Sequence, residues 1–198
     1  MTYPFISWAV VGLLGITTIG LLLSRDWRWS LGFLAVQYLG MFILVSLHWP
    51  FGLASIKLVT GWMASATLGV TRLEISEEER AEESAWPQGR LFRVFAAAIV
   101  MVLVIAATPA METIIPGISR PVIASGLLLA GMGLLQLGIS AGILRISLGL
   151  LTVMSGFETL YATVETSILL AGLLSIINLG LALVGAYLIT AAPLEDPE

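Results

Sequence analysis

The sequence predicts an all-α protein, a polytopic bundle of about seven transmembrane helices, and three observations carry that reading. Of 198 residues, 58% are hydrophobic and only 11% are charged; a water-exposed surface normally needs about 25% charged residues, so this chain cannot make one. The mean hydropathy is +1.00. The apolar residues fall into stretches of about 20, the length at which a helix rising about 1.5 Å per residue crosses a hydrocarbon core of about 30 Å.

The segments are taken in order. The first, 5–23, ends at Ser24-Arg25-Asp26. No Lys or Arg precedes Arg25, so the positive region of a cleavable signal is missing and a retained helix is expected. The second and third, 30–48 and 51–70, are divided by His48-Trp49-Pro50. The fourth, 91–108, is expected to stop at Thr108-Pro109, because proline breaks the helical ladder. Pro116 and Arg120-Pro121 precede the fifth, 121–143; the sixth and seventh follow at 146–163 and 167–190. The junction at 163–167 is weak enough that the last two could form one bent element. The long polar connection, 71–90, carries an acidic run from Glu77 to Glu83. Within it, Ser76 followed by Glu79 makes a capping-box pattern for a short helix lying on the membrane. Two regions result: 1–110, with four helices and this loop, and 111–198, with three helices and a short acidic tail.

The basic residues orient the bundle. With the N-terminus outside, the inner loops hold Arg25, Arg28, Arg72, Arg80, Arg90, Arg93 and Arg145, and the outer loops hold only Arg120. This asymmetry follows the positive-inside rule and puts Glu195, Asp196 and Glu198 in the cytoplasm.

Cysteine is absent, which excludes disulfides, thiolate zinc sites and iron–sulfur ligation. The single histidine, His48, cannot supply a bis-histidine haem or an HExxH metal pair. It is expected to be an interfacial residue. No basic stripe points to nucleic acid. No cofactor and no metal are expected, and an enzymatic role stays undecided. Six tryptophans mostly suit anchoring belts at the membrane faces.

A charge at the bilayer centre costs about 2.5–3.5 kcal/mol on insertion scales. Lys57 lies about 9 Å below the outer end of the third segment, and Glu158 about 7–8 Å from the outer end of the sixth. Glu165, seven residues beyond Glu158, falls near the same face at the interface. The functional reading is a proton- or ion-handling pathway of Lys57, Glu158 and Glu165, in which the first two modulate one another. The structural alternative is a snorkelling Lys57 and a buried Glu158 that is neutral or hydrogen-bonded. Gln37, Gln136 and Asn178 are expected to make interhelical hydrogen bonds. Gly138 and Gly142 form a GxxxG step with Gly131 near the same face, which serves close helix packing, within the chain or against a partner.

The last third contains a Gly/Leu-rich helix, a basic turn at Arg145, then GLLTVMSGFETLYATVE and INLGLALVGAYL. This order resembles subunit K of bacterial NADH-quinone oxidoreductase and the C subunit of Mrp-type cation/proton antiporters. In that family a glycine, an apolar residue and a glutamate in the middle helix contribute to the buried polar axis of ion pumping. Gly156-Phe157-Glu158 occupies that place. The chain departs from the family in its last helix, where Ser175-Ile176-Ile177-Asn178 stands and the second glutamate is missing. As a whole the chain resembles the E subunit of hydrogenase-4-type complexes, through RDWRWSLGFLAVQYLG with Gln37 and through Lys57. That family often carries its acid one turn earlier, near Ser155. The resemblance implies a cofactor-free subunit of a complex I-related assembly in a bacterial or archaeal inner membrane. Its partners would be antiporter-like membrane subunits, and it would contribute to proton or cation translocation or coupling. A free-standing transporter or channel, and a purely structural scaffold, are the alternatives.

Overall fold

The computed structural model describes residues 3–73, 89–115, 117–164 and 167–191. These are all-α. Seven helices are present among the described residues: α1 (Tyr3–Leu23), α2 (Trp27–Ser46), α3 (Phe51–Leu73), α4 (Arg90–Ile114), α5 (Arg120–Ile139), α6 (Ile143–Val164) and α7 (Ile168–Ala191). All seven are long and apolar enough to cross a membrane, and the chain is a multi-pass membrane protein. The acidic run, the pattern at Ser76 and Glu79, and the acidic tail lie outside the described residues.

Local chemistry sets most boundaries. Asp26 caps α2, its Oδ1 accepting from the Arg28 backbone N–H at 2.9 Å, which satisfies one of the first-turn donors that a helix leaves open. Gly117 adopts a positive φ of 97° in the turn after α4, a conformation that glycine takes without a Cβ penalty. Pro121 stands in the first turn of α5, where a missing N–H costs nothing.

Two boundaries depart from expectation by four residues or more, and a third point concerns the last two helices. α4 runs through Thr108-Pro109 to Ile114; proline removes one ladder donor, and a membrane helix tolerates the loss because the alternative, open backbone in lipid, is worse. α5 stops at Ile139 rather than 143, with Ser140 as its extended C-cap. α6 and α7 are two separate helices, which resolves the junction left open at 163–167.

Short connections make α1/α2, α2/α3 and α5/α6 antiparallel hairpins, as expected of neighbours joined by a few residues. The most extensive pairing is α5 with α6, followed by α3 with α7. α3 and α7 run parallel, since Lys57 meets Ala171 near one end and Leu68 approaches Gly185 towards the other. α1 and α2 pack on α5 and α6 respectively. A continuous core joins Leu34, Tyr38, Met41 and Leu68 to Leu148, Leu151 and Ala182, so the described parts of regions 1–110 and 111–198 form one bundle.

The small residues that bring α5 and α6 together are not the predicted step. A Cβ at Gly156 would lie 2.5 Å from the Ala130 backbone N and 2.7 Å from the Gly126 carbonyl oxygen. At Gly133 it would lie 2.7 Å from the Val153 backbone N. Gly131 does make a close approach, to Val100 of α4. Gly138 faces open space within the chain, and Gly142 lies in the turn before α6. The helix ends between them, so they share no helical face.

Candidate functional site: a buried ion pair

Arginines gather at one end of the bundle and close it. Arg93 of α4, 1% exposed, donates to the Leu22 carbonyl at 3.2 Å, and Arg145 of α6 donates to the Ser24 carbonyl at 2.9 Å. Both guanidiniums therefore sit at the C-terminus of α1, where carbonyls lack intrahelical donors and the helix dipole favours cations. Gln136 of α5 adds an interhelical bond to the Arg145 carbonyl at 3.0 Å. In the sequence Arg93 stands as a topological charge and Arg145 as that and a basic turn; their place at the end of α1 comes only from the packing. At the opposite end, Arg120 pairs with Glu112 at 2.6 Å on the surface.

Between these ends, the two intramembrane charges meet. Lys57 Nζ lies 2.8 Å from Glu158 Oε1, and the side chains are 2% and 0% exposed. Lys57 stands six residues from the start of α3 and Glu158 six from the end of α6. Each is thus about 9 Å from the same end of the bundle by helical rise. The ammonium also donates to the Ala171 carbonyl of α7 at 3.1 Å. Serine at 175 shares that acceptor, its Oγ donating at 2.8 Å.

Asn178 of α7 completes the group, its Nδ2 donating to the same Glu158 oxygen at 3.0 Å. One carboxylate oxygen therefore receives a lysine and an amide from two helices. The other, Oε2, is buried with no hydrogen-bond partner, as is Asn178 Oδ1. Buried polar atoms in this condition are uncommon, and a catalytic or ion-handling role is one of the explanations they admit.

The surroundings are polar on one face of α6 only. Thr152, Ser155 and Thr159 are buried beside Glu158, each donating to the carbonyl four residues earlier. That back-bonding leaves their oxygen lone pairs directed outward from the helix axis. Tyr38 of α2, 1% exposed, lays its ring over Gly61 of α3, where an added Cβ would collide with it. The opposite neighbour, α5, offers Gly126 and Ala130 at the level of Gly156.

The remaining sequence-derived residues distribute as follows. Glu165 lies outside the described residues. Gln136 and Asn178 make the expected interhelical bonds. Gln37 does not: it is fully buried and neither amide atom has a partner. His48 is exposed and its Nδ1 lies 3.2 Å from the Leu44 carbonyl. Trp8 and Trp29 are exposed near helix starts, as a belt requires. Trp49 is buried, and Trp62 lies halfway along α3 with its indole N–H on the Ala35 carbonyl. Neither belongs to a belt.

Gly138-Ile139-Ser140-Ala141-Gly142 has the GxSxG spacing of a hydrolase nucleophile elbow. Its structure excludes that role. The elbow joins a strand to a helix and needs a histidine base, whereas Ser140 joins two helices at the end of the bundle opposite His48.

Among the described residues no cluster of three or more His, Cys, Asp or Glu occurs. Comparison with family models, with curated proteins and with solved structures gives no match to the chain.

Proposed function

We propose that this chain is a cofactor-free subunit of a complex I-related membrane assembly of the hydrogenase-4 or Mrp type, in which the Lys57–Glu158 pair handles protons or cations. One observation carries the reading: a lysine and a glutamate on different helices are paired in the interior, and one carboxylate oxygen stays without a donor. Intramembrane ionisable residues of this kind mark ion pathways or proton relays. A change of charge in a neighbouring subunit would draw Lys57 towards or away from Glu158. Separated from its cation in a low-dielectric interior, the carboxylate neutralises by binding a proton. Lys57 has a second acceptor, the Ala171 carbonyl, on which to rest meanwhile.

The family resemblance supports the assembly part of this reading. Glu158 matches the position of the pumping glutamate, and Asn178 stands in the helix where a second acid would be. Donating to Glu158 as it does, Asn178 supports the carboxylate instead of relaying from it. The same ion pair favours a scaffold as the second reading, because Lys57 is held by two acceptors on two helices and a buried pair can specify packing alone.

Two experiments test the proposal. Gentle purification from a bacterial or archaeal membrane should bring down antiporter-like membrane subunits in fixed stoichiometry. Isolation as a lone chain under those conditions would sink the assembly reading. For orientation, a cytoplasmic reporter should be active when fused within 75–88 or after Pro193, and inactive near His48 or within 111–118. Activity at His48 would reverse the topology, and with it the agreement with the family.

A further inference from the structure

Three polar groups around Glu158 have hydrogen-bonding capacity that the described residues do not use, and all three meet at one oxygen. Lys57 Nζ donates to Glu158 Oε1 at 2.8 Å and to the Ala171 carbonyl at 3.1 Å. An ammonium carries three N–H donors, so one has no acceptor among the described residues. Asn178 Nδ2 donates to the same Oε1 at 3.0 Å, while Asn178 Oδ1 accepts from no described residue, and neither does Glu158 Oε2. Oε2 shares its carbon with Oε1, and Oδ1 shares its carbon with Nδ2. The spare donor and the two spare acceptors are therefore gathered around Oε1.

These side chains cannot satisfy one another. Oε2 and Oδ1 are both acceptors, and turning the Asn178 amide over would set oxygen against oxygen and take a donor from the carboxylate. Hydroxyls on the same helices are committed elsewhere: Thr152, Ser155 and Thr159 donate to the carbonyl four residues earlier, and Ser175 to the Ala171 carbonyl. Small side chains leave room. Ala54 precedes Lys57 by three residues, Ala162 follows Glu158 by four, and Ala182 follows Asn178 by four, all 3% exposed or less. Residues at these spacings are neighbours on one helix face, so each polar side chain has a short one beside it.

We propose that one buried water molecule joins the three groups, accepting the third N–H of Lys57 and donating to Glu158 Oε2 and to Asn178 Oδ1. About three hydrogen bonds to otherwise unsatisfied buried groups is the ordinary complement of an internal water. One acceptor role and two donor roles match one spare donor and two spare acceptors. A metal cation suits the place badly. A hard cation takes about six oxygens, only two are on offer, and the Lys57 ammonium repels it. The consequence rests on the proposed function: what Glu158 exchanges is a proton. A proton arriving at the water leaves on its Oε2 side, so the water is unchanged, the carboxylate becomes a neutral acid, and Lys57 keeps its charge.

The test is a crystal structure of the full chain as isolated from its membrane, at a resolution that shows ordered water. Thallium(I), a heavy stand-in for a monovalent cation, is present in one set of crystals and absent from another. One peak is expected at about 2.7–3.2 Å from Lys57 Nζ, Glu158 Oε2 and Asn178 Oδ1, with no anomalous signal in thallium. An anomalous peak there would overturn the water in favour of a cation. A dry site where other buried waters are visible, or a protein hydroxyl seated on Oε2, would overturn it as well. Asn178→Leu, similar in volume but without polar atoms, should lose the peak while Lys57 and Glu158 stay paired; a peak that persists would contradict the part given to Oδ1. Normal translocation by Glu158→Gln would defeat the proposed function and the proton conclusion with it, whereas the water itself stands or falls on the peak.

Discussion

Glu158→Gln is expected to give an assembled protein whose coupled translocation falls by about a hundredfold or more, the scale of removing a positioned proton-transfer group. The amide has nearly the shape of the acid. Its oxygen can still accept from Lys57 and Asn178, and Lys57 keeps the Ala171 carbonyl. Assembly is therefore retained, although a buried cation has lost its counter-charge. The amide cannot take up and release a proton, and that is the property being removed. Glu158→Asp keeps the charge but is one methylene shorter, so it should retain part of the activity. The check is proton or cation flux in vesicles containing the intact assembly, normalised to its abundance.

Gly156→Leu is expected to abolish correct packing of α5 on α6. The first atom of any side chain at 156 meets backbone, the Ala130 N at 2.5 Å and the Gly126 oxygen at 2.7 Å, and backbone cannot step aside as a flexible side chain can. Overpacking in a well-filled core costs about 1–3 kcal/mol and occasionally more, and here it falls at the most extensive helix pairing. It also lies two residues from Glu158, so the ion pair would be lost with the packing. Gly138→Leu is the control: a Cβ there meets nothing within 4 Å, and thermal stability in detergent should stay near the parent. A stable Gly156→Leu bundle, or a collapsed Gly138→Leu one, would contradict this account of how α5 and α6 meet.

Much of the bundle is legible from composition and length, because a chain with this hydropathy has few other ways to satisfy its backbone in lipid. Helix ends were less so. Pro109 looked like a stop and is not, since the cost of opening the backbone in a membrane outweighs one missing donor. The short turn makes α5 and α6 neighbours, but which small residues face across the pair depends on where the first helix ends and how the two rotate; Gly138 and Gly142 have the spacing in the wrong place, while Gly126 and Gly156 make the contact. At the site, Lys57 and Glu158 stood out because a charge in an apolar run is conspicuous. Their meeting depended on α3 packing parallel to α7 beside α6, which no spacing reveals. Asn178 is expected to make an ordinary interhelical bond and does so, to the buried Glu158 carboxylate. Tyr38 was invisible because an aromatic in a membrane helix is unremarkable; the collision it would make with any side chain at 61 is a tertiary fact.

The central claim is that Lys57 and Glu158 act as one unit. It is tested most directly by measuring translocation in vesicles for Lys57→Met, Glu158→Gln and the double variant, each normalised to assembled complex. The structure, with 2.8 Å between the two charges, predicts coupling of about 1 kcal/mol or more, so the double variant should be clearly less defective than the sum of the two singles. Strictly additive losses, or full translocation by Glu158→Gln, would contradict the account and leave the pair as scaffolding.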